Sequence, residues 1–302
     1  MRPLKVGIQL PEVEREVRWP ELRAMALAAE EIGLDSVWVG DHLLYRDPQL
    51  GARGPWEAWS LLAALAAATV RVELGPLVAC TAFHNPALLA KQAATVDELS
   101  QGRLILGLGA GWNRVEFDAF GIPYDHRVSR FDEALTIIRR LLAGEEVSFA
   151  GVYHQTDAAV LLPAPARPGG IPLMIGSIGE RMLQLGLPHA SAWNAWYTWF
   201  GNSPEGYRSL RARVDVACRQ VGRDPATVER SVALMVGFHD AVGRTSFEPD
   251  SPLSALPGDD PDATAAALRA LAAEGVSHVQ LVLDPITRES IERLSPVLQR
   301  LG

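Results

Sequence analysis

The chain has 302 residues, 48% of them hydrophobic, and its 28 basic against 36 acidic side chains leave a net charge of -8. That is enough apolar matter for a large core, while the acidic balance argues against a nucleic-acid or anionic-membrane surface. The two cysteines, Cys80 and Cys218, form no C-x-x-C, and no apolar run reaches the ~18 residues of a membrane span, so a reduced, cytoplasmic, non-membrane protein is predicted.

One pattern recurs along the chain: a short Val-, Ile- and Leu-rich run, a loop with Gly or Asp, then a longer amphipathic stretch. Residues 4–10 read as the first strand and 19–32 as its helix, closed by Gly33. Residues 36–39 pair with 56–68, and 72–79 with 86–99. A fourth strand at 104–108 opens a longer excursion, with a helix over 131–142 and a hairpin in "EEVSFAGVYHQTDA". The pattern resumes with 171–175 and 180–187, 192–195 and 204–221, 231–238 and 262–273, and 278–283 and 290–301. A Pro-, Ser- and Asp-rich stretch, 246–262, reads as a loop after the seventh strand.

About eight strand–helix units predict an α/β protein: a single (β/α)8 TIM barrel over residues 1–302, with insertions after strands four and seven. Strands apolar at nearly every position, such as "LILGLG" and "VQLVL", suit a sheet covered on both faces. In such a barrel the active site forms where the C-terminal strand ends meet. The candidates are therefore the strand-end residues.

The first strand ends at Gln9 and the second at Gly40, Asp41 and His42. An imidazole at the barrel mouth suits proton transfer; the alternative is a histidine packed under a loop. The third strand ends at Leu77, Val78, Ala79 and Cys80. The fourth runs into "LGLGAGWNRVEF", which is not a dinucleotide fingerprint: counted from Gly107 or Gly109, the third glycine position holds Trp112 or Arg114. Its glycines either leave room for a flat ligand beside Ala110, Gly111, Trp112 and Asn113, or relieve crowding inside the barrel. The fifth strand leads into Gly176, Ser177, Ile178 and Gly179, either an anion site at a helix start or an ordinary turn capped by Ser177. This turn is not a G-x-S-x-G elbow, because Ile175 stands at the first glycine position. Trp193, Trp196, Trp199 and Phe200 form either a substrate wall or helix packing. No H-x-H or H-E-x-x-H pattern supports a metal.

The blocks "GLDSVWVGDHLL", "NPALLAKQAATVDELSQGRLILGLGAGWNRVEFDAFGIPY", "RFDEAL", "IPLMIGSIGERMLQLGLPHASAWN" and "AAEGVSHVQL" together resemble the bacterial luciferase-like monooxygenase superfamily, and especially its branch using the deazaflavin coenzyme F420. The resemblance implies a barrel binding F420, or alternatively FMN, with the ring over the strand ends. It implies His42 as catalytic residue near the reactive ring face, with Asp41 beside it. A non-prolyl cis peptide at Leu77–Val78 would back the ring, and Ala79, Ala110, Gly111, Trp112 and Asn113 would line it. The phosphate loop would be Gly176, Ser177, Ile178 and Gly179, and the substrate side would include Gln9, Trp193 and Trp196. Sugar-phosphate dehydrogenases of the superfamily carry a glutamate just after the fourth-strand glycines. Here Trp112 takes that position, which favours a less charged substrate. The implied activity is hydride transfer between F420 and a small, weakly charged organic molecule, and the resemblance implies a homodimer; the rivals are a reduced-FMN monooxygenase and a non-catalytic flavin-binding protein.

Overall fold

The apolar runs pair as parallel strands because each is buried on both faces. The computed structural model describes residues 4–47, 51–241 and 254–302. In chain order the strands are β1 (Lys5–Gln9), β2 (Ser36–Val39), the short pair β3 (Tyr45–Asp47) and β4 (Gly51–Arg53), β5 (Glu73–Pro76), β6 (Ala79–Cys80) and β7 (Leu106–Gly109). They continue with the hairpin β8 (Val147–Ala150) and β9 (Gln155–Ala159), then β10 (Leu173–Gly176), β11 (Ala192–Ala195), β12 (Glu229–Gly237), β13 (Leu256–Pro257) and β14 (His278–Asp284).

The sheet runs β5-β2-β1-β14-β12-β11-β10-β7-β6, with β13 beside β12. Its two ends, β5 and β6, are consecutive in the chain and flank the Leu77–Val78 peptide, which is cis. They are two halves of one strand position, so the sheet closes on itself. Counting β5 and β6 together, β1, β2, β5/β6, β7, β10, β11, β12 and β14 occupy eight positions in sequence order around a barrel. The third strand, read from the sequence over 72–79, is divided at this bond, the cis peptide that the resemblance implied.

Helices follow the strands: α1 (Trp19–Glu31), α2 (Ala58–Ala68), α3 (Pro86–Leu99), α4 (Arg114–Phe120), α5 (Arg127–Leu142), α6 (Glu180–Gly186), α7 (Pro204–Gln220), α8 (Pro261–Ala273), α9 (Arg288–Glu292) and α10 (Ser295–Leu301). The insertion after the fourth barrel strand comprises α4 and the β8–β9 hairpin. Glu133 of α5 anchors that hairpin by accepting the N–H groups of Val152, Tyr153 and His154. Of the loop expected at 246–262, residues 246–253 lie outside the described residues; the later part forms β13 and leads into α8. No helix among the described residues is long and apolar enough to cross a membrane.

A large apolar shell lies between the sheet and the helices, with Val6, Ile8, Leu74, Leu106, Leu108 and Phe131 fully buried in it. Inside the barrel, Trp38, Ile105, Met174 and Ala192 form a separate cluster. Glycines make that filling possible: a Cβ on Gly75 would stand 3.1 Å from the Trp38 ring, and one on Gly107 3.1 Å from Met174 Cε. Polar side chains complete the interior. Trp38 Nε1 donates to Ser36 Oγ, which contacts His278 Nε2 at 2.7 Å. Asn194 Nδ2 donates to Ser231 Oγ and Gln280 Oε1. Burial, reinforced by the Lys5 charge, pushes the His278 imidazole down to about 3, so it is a neutral packing group. Polar groups held this way pin the barrel floor at little net cost, because each has its partner.

Candidate active site

β2 ends where Gly40 turns the chain into Asp41 and His42. A Cβ on Gly40 would lie 1.4 Å from Glu12 Oε1, so glycine is what admits the Glu12 carboxylate to this corner. Asp41 is 4% exposed. Its Oδ2 accepts the Cys80 N–H at 2.8 Å and faces His84 Nε2 at 2.8 Å. Asp41 thus ties the loop after β2 to the end of β6, and a different carboxylate orients His42.

That carboxylate is Glu116, on α4 and 0% exposed. Its Oε1 lies 2.8 Å from His42 Nδ1 and its Oε2 accepts the Leu43 N–H at 2.6 Å. Nδ1 therefore carries the proton, and Nε2 is the atom left for chemistry, 4.0 Å from Glu12 Oε1. Burial alone pulls the imidazole pKa down. The Glu116 hydrogen bond and the charges of Glu12, Glu116 and Asp41 outweigh it and hold His42 above its ordinary value of 6.5. Tyr45 and Trp112 flank the ring at 4.8 and 5.9 Å between centroids.

Val78, which follows the cis bond from Leu77, lines the barrel mouth. Three glycines surround its side chain: a Cβ on Gly107 or Gly109 would come within 2.8 Å of a Val78 methyl, and one on Gly176 within 3.0 Å. The glycines of β7 therefore leave room for valine, and valine in turn forms cavity wall. Gly111 answers a second requirement, with a φ of +78° and a Cβ position only 2.4 Å from Cys80 Sγ. Beyond it Trp112 is 65% exposed. Burial, with Asp41 beside it, pushes the Cys80 thiol up, so it stays protonated and unreactive at neutral pH.

After β10 the chain turns through Gly176, Ser177, Ile178 and Gly179 into α6. The cap residue is Gly179, without a side-chain cap, and the Ser177 hydroxyl accepts the Gly179 N–H at 3.3 Å. Ser177 is thus not the N-cap. Below the turn, Trp193 Nε1 donates to the Ser177 carbonyl at 2.7 Å, fixing which way the turn faces.

These strand ends enclose a cavity of about 560 Å³, a size suited to a cofactor ring with a small substrate. Gln9, Asp41 and His42 reach it from the first two strands, and Leu77 and Val78 from the third. Ala110, Gly111 and Trp112 line it from the fourth, the Gly176–Gly179 turn from the fifth, and Trp196 from the sixth. Three expected residues are not brought there. Ala79 is 0% exposed and packs in the outer shell. Asn113 donates from Nδ2 to the Leu44 carbonyl. Trp193, 0% exposed, supports the turn from beneath.

Residues not singled out in the sequence also line the cavity, chiefly Glu12, Tyr45, Glu116 and Arg127. A weak signal for Glu116 existed, since Asn113-x-x-Glu116 has the spacing of a helix capping box. The pattern points the wrong way, because Asn113 makes no side-chain cap and the glutamate turns to His42.

Residues 5–274 match the family described as luciferase-like monooxygenase. The chain is 35% identical over 182 residues to the 5,10-methylenetetrahydromethanopterin reductase of Archaeoglobus fulgidus, covering 60% of this chain and 50% of that one. It is 36% identical over 181 residues to the F420-dependent glucose-6-phosphate dehydrogenase of Amycolatopsis mediterranei, covering 58% of this chain and 52% of that one. It thus spans about half the length of these curated relatives. Among solved structures, an F420-dependent secondary alcohol dehydrogenase in complex with an F420-acetone adduct superposes over 100% of both chains with a TM-score of 0.84 at 19% identity, a likeness of fold.

Proposed function

Because the chain belongs to the luciferase-like monooxygenase family, and its cavity sets an oriented, cation-favouring imidazole beside an apolar wall, we propose an oxidoreductase that moves a hydride between F420 and a small, weakly charged organic substrate. The observation that carries this reading is the His42–Glu116 pair at 2.8 Å on the wall of the 560 Å³ cavity. Relatives named as F420-dependent support it.

The residues fit such a cofactor. Val78, with Gly109 and Gly176 packed behind it, presents a flat apolar face. Gln9, 2% exposed on the cavity wall, has an Oε1 with no hydrogen-bond partner among the described residues, and the pyrimidine edge of a deazaflavin carries an N–H that suits an amide oxygen. The Gly176–Gly179 turn, with the Ser177 hydroxyl, would hold the phosphate through backbone N–H groups.

When bound, F420 supplies or accepts the hydride. His42 would handle the accompanying proton: as the imidazolium, which its raised pKa favours, Nε2 would donate to a substrate oxygen, and in reverse the neutral Nε2 would accept the proton of an alcohol. Glu116 holds the ring in one tautomer, and Glu12 stabilises the imidazolium. Trp112, Trp196 and the Val78 wall favour an apolar substrate body. Trp112 at the glutamate position argues against a sugar phosphate.

The resemblance also carries expectations of a cytoplasmic homodimer, which light scattering tests for its oligomeric part. Fluorescence titration of the purified protein with F420 and with FMN, followed by turnover assays, tests the function. Binding of F420 with reduction of a ketone or oxidation of an alcohol supports it. Micromolar binding of FMN with none of F420 replaces it with a reduced-FMN monooxygenase, and ring binding without turnover leaves a carrier.

A further inference from the structure

A second cavity, about 390 Å³, lies at the start of α5, lined by Tyr124, Asp125, His126, Arg127, Ser129 and, from α6, Arg181. It adjoins the active-site cavity, because Arg127 and Val128 line both. Arg181 is the second residue of α6, immediately beyond the Gly176–Gly179 turn. The groove therefore flanks the start of the helix that the turn enters.

Its charge is distinctive for a protein with a net charge of -8. Arg127 is spent on neutral partners: Nε donates to the Gly111 carbonyl, Nη1 to the Tyr124 carbonyl, and the guanidinium covers the Tyr124 ring at 3.6 Å. Arg181 Nη2 donates to Ser129 Oγ at 3.1 Å. Among the described residues no carboxylate lies within ion-pair distance of either arginine. The one carboxylate in the wall, Asp125, is engaged elsewhere, 3.6 Å from His126 Nε2 and 4.0 Å from Arg130. Two positive charges without carboxylate partners among the described residues, in an open groove that shares Arg127 and Val128 with the cavity, make a site for an anionic extension.

We infer that the Arg127–Arg181 groove binds the poly-carboxylate tail of the cofactor beyond its phosphate, and so distinguishes F420 from FMN, which has no such tail. The inference rests on the F420 reading. FMN's phosphate ends at the turn and leaves the arginines unpaired, whereas a chain of glutamyl carboxylates continues into the groove.

The test is a fluorescence titration of the full chain with F420 carrying its oligoglutamyl tail and with F420 from which every glutamate has been removed. The wild-type protein should bind the tailed form roughly 3–10-fold more tightly at low salt, the scale of two partly exposed ion pairs. That advantage should fade as salt screens the pairs. Arg181→Glu should abolish the advantage while leaving affinity for the tail-less form within about twofold, since the tail-less form does not reach this exposed side chain. Equal binding of both forms by wild type, or equal weakening of both by Arg181→Glu, overturns the groove assignment and leaves the F420 reading intact. A rise only in substrate KM in Arg181→Glu reassigns the groove to an anionic substrate group and also overturns the inference. Failure of both forms to bind while FMN binds removes both readings together.

Discussion

Glu116→Gln is the most direct probe of the active site. The substitution keeps the size of the side chain but removes its charge and one of its two acceptor oxygens. In the wild-type protein those oxygens serve two donors, His42 Nδ1–H at 2.8 Å and the Leu43 N–H at 2.6 Å. Hydrogen bonds to a charged group are worth about 1.5–3 kcal/mol, and 1.36 kcal/mol corresponds to one pKa unit, so His42 should fall by about one to two units. Glu12, 4.0 Å from Nε2, remains and limits the fall. The sign follows from the direction of the shift. His42 is raised above 6.5 in the folded protein, so its contribution to stability is fully present below that value and is lost as pH rises through the raised pKa. The variant should therefore be destabilised most at acidic pH, and the difference from wild type should shrink toward alkaline pH. A residual cost of about 1–3 kcal/mol should persist at all pH values, from the donor left facing an amide. Proton NMR titration of the His42 ring reads the pKa, and the alkaline limb of the pH–rate profile for ketone reduction should move to lower pH by the same amount. An unchanged His42 titration in a variant with a wild-type circular dichroism spectrum would refute the pairing.

Three further outcomes follow from the same geometry. His42→Asn should retain cofactor affinity within about twofold by fluorescence titration yet lose roughly 10²–10⁴-fold in turnover, the usual range for general acid–base catalysis; undiminished turnover would remove the acid–base assignment. Gly109→Ala places a methyl 2.8 Å from Val78 Cγ2, and such overpacking should cost about 1–3 kcal/mol in urea unfolding and weaken cofactor binding, whereas wild-type values would mean that Val78 is not clamped. His278, held at about 3 against an ordinary 6.5, is protonated only in the unfolded chain between those values. Stability should therefore fall by about 1.4 kcal/mol per pH unit below 6.5, some of it recovered in His278→Gln, and parallel acid profiles for the two proteins would contradict a buried neutral imidazole.

The barrel was legible because its signals are local. Strand-length apolar runs, helical periodicity and Gly or Asp punctuation repeat along the chain, and every one of the eight strand positions falls where that pattern puts it. The rule that barrel sites gather at C-terminal strand ends then picked out Gln9, His42, Val78, Trp112 and the Gly176–Gly179 turn without knowledge of any contact. What the pattern lacks is parity. Trp193 and Trp196 are both tryptophans near the end of β11, yet only Trp196 reaches the cavity, because side chains alternate across a strand and closure of the sheet decides which face is inside. The same limit applies to Ala79 against Val78.

The amino-acid sequence by itself determined the order and kind of the elements and the histidine around which the proposed chemistry is built, since periodicity and turn residues act over a few positions of chain. Only the tertiary structure decided which carboxylate serves that histidine. Glu116 lies 74 residues from His42, on a helix the periodic pattern did not mark, and Glu12 enters through the space left by Gly40. Pairings of this kind depend on the closed barrel bringing separate loops together in a site shielded from water, where a charge must find its partner, and no local pattern encodes that distance.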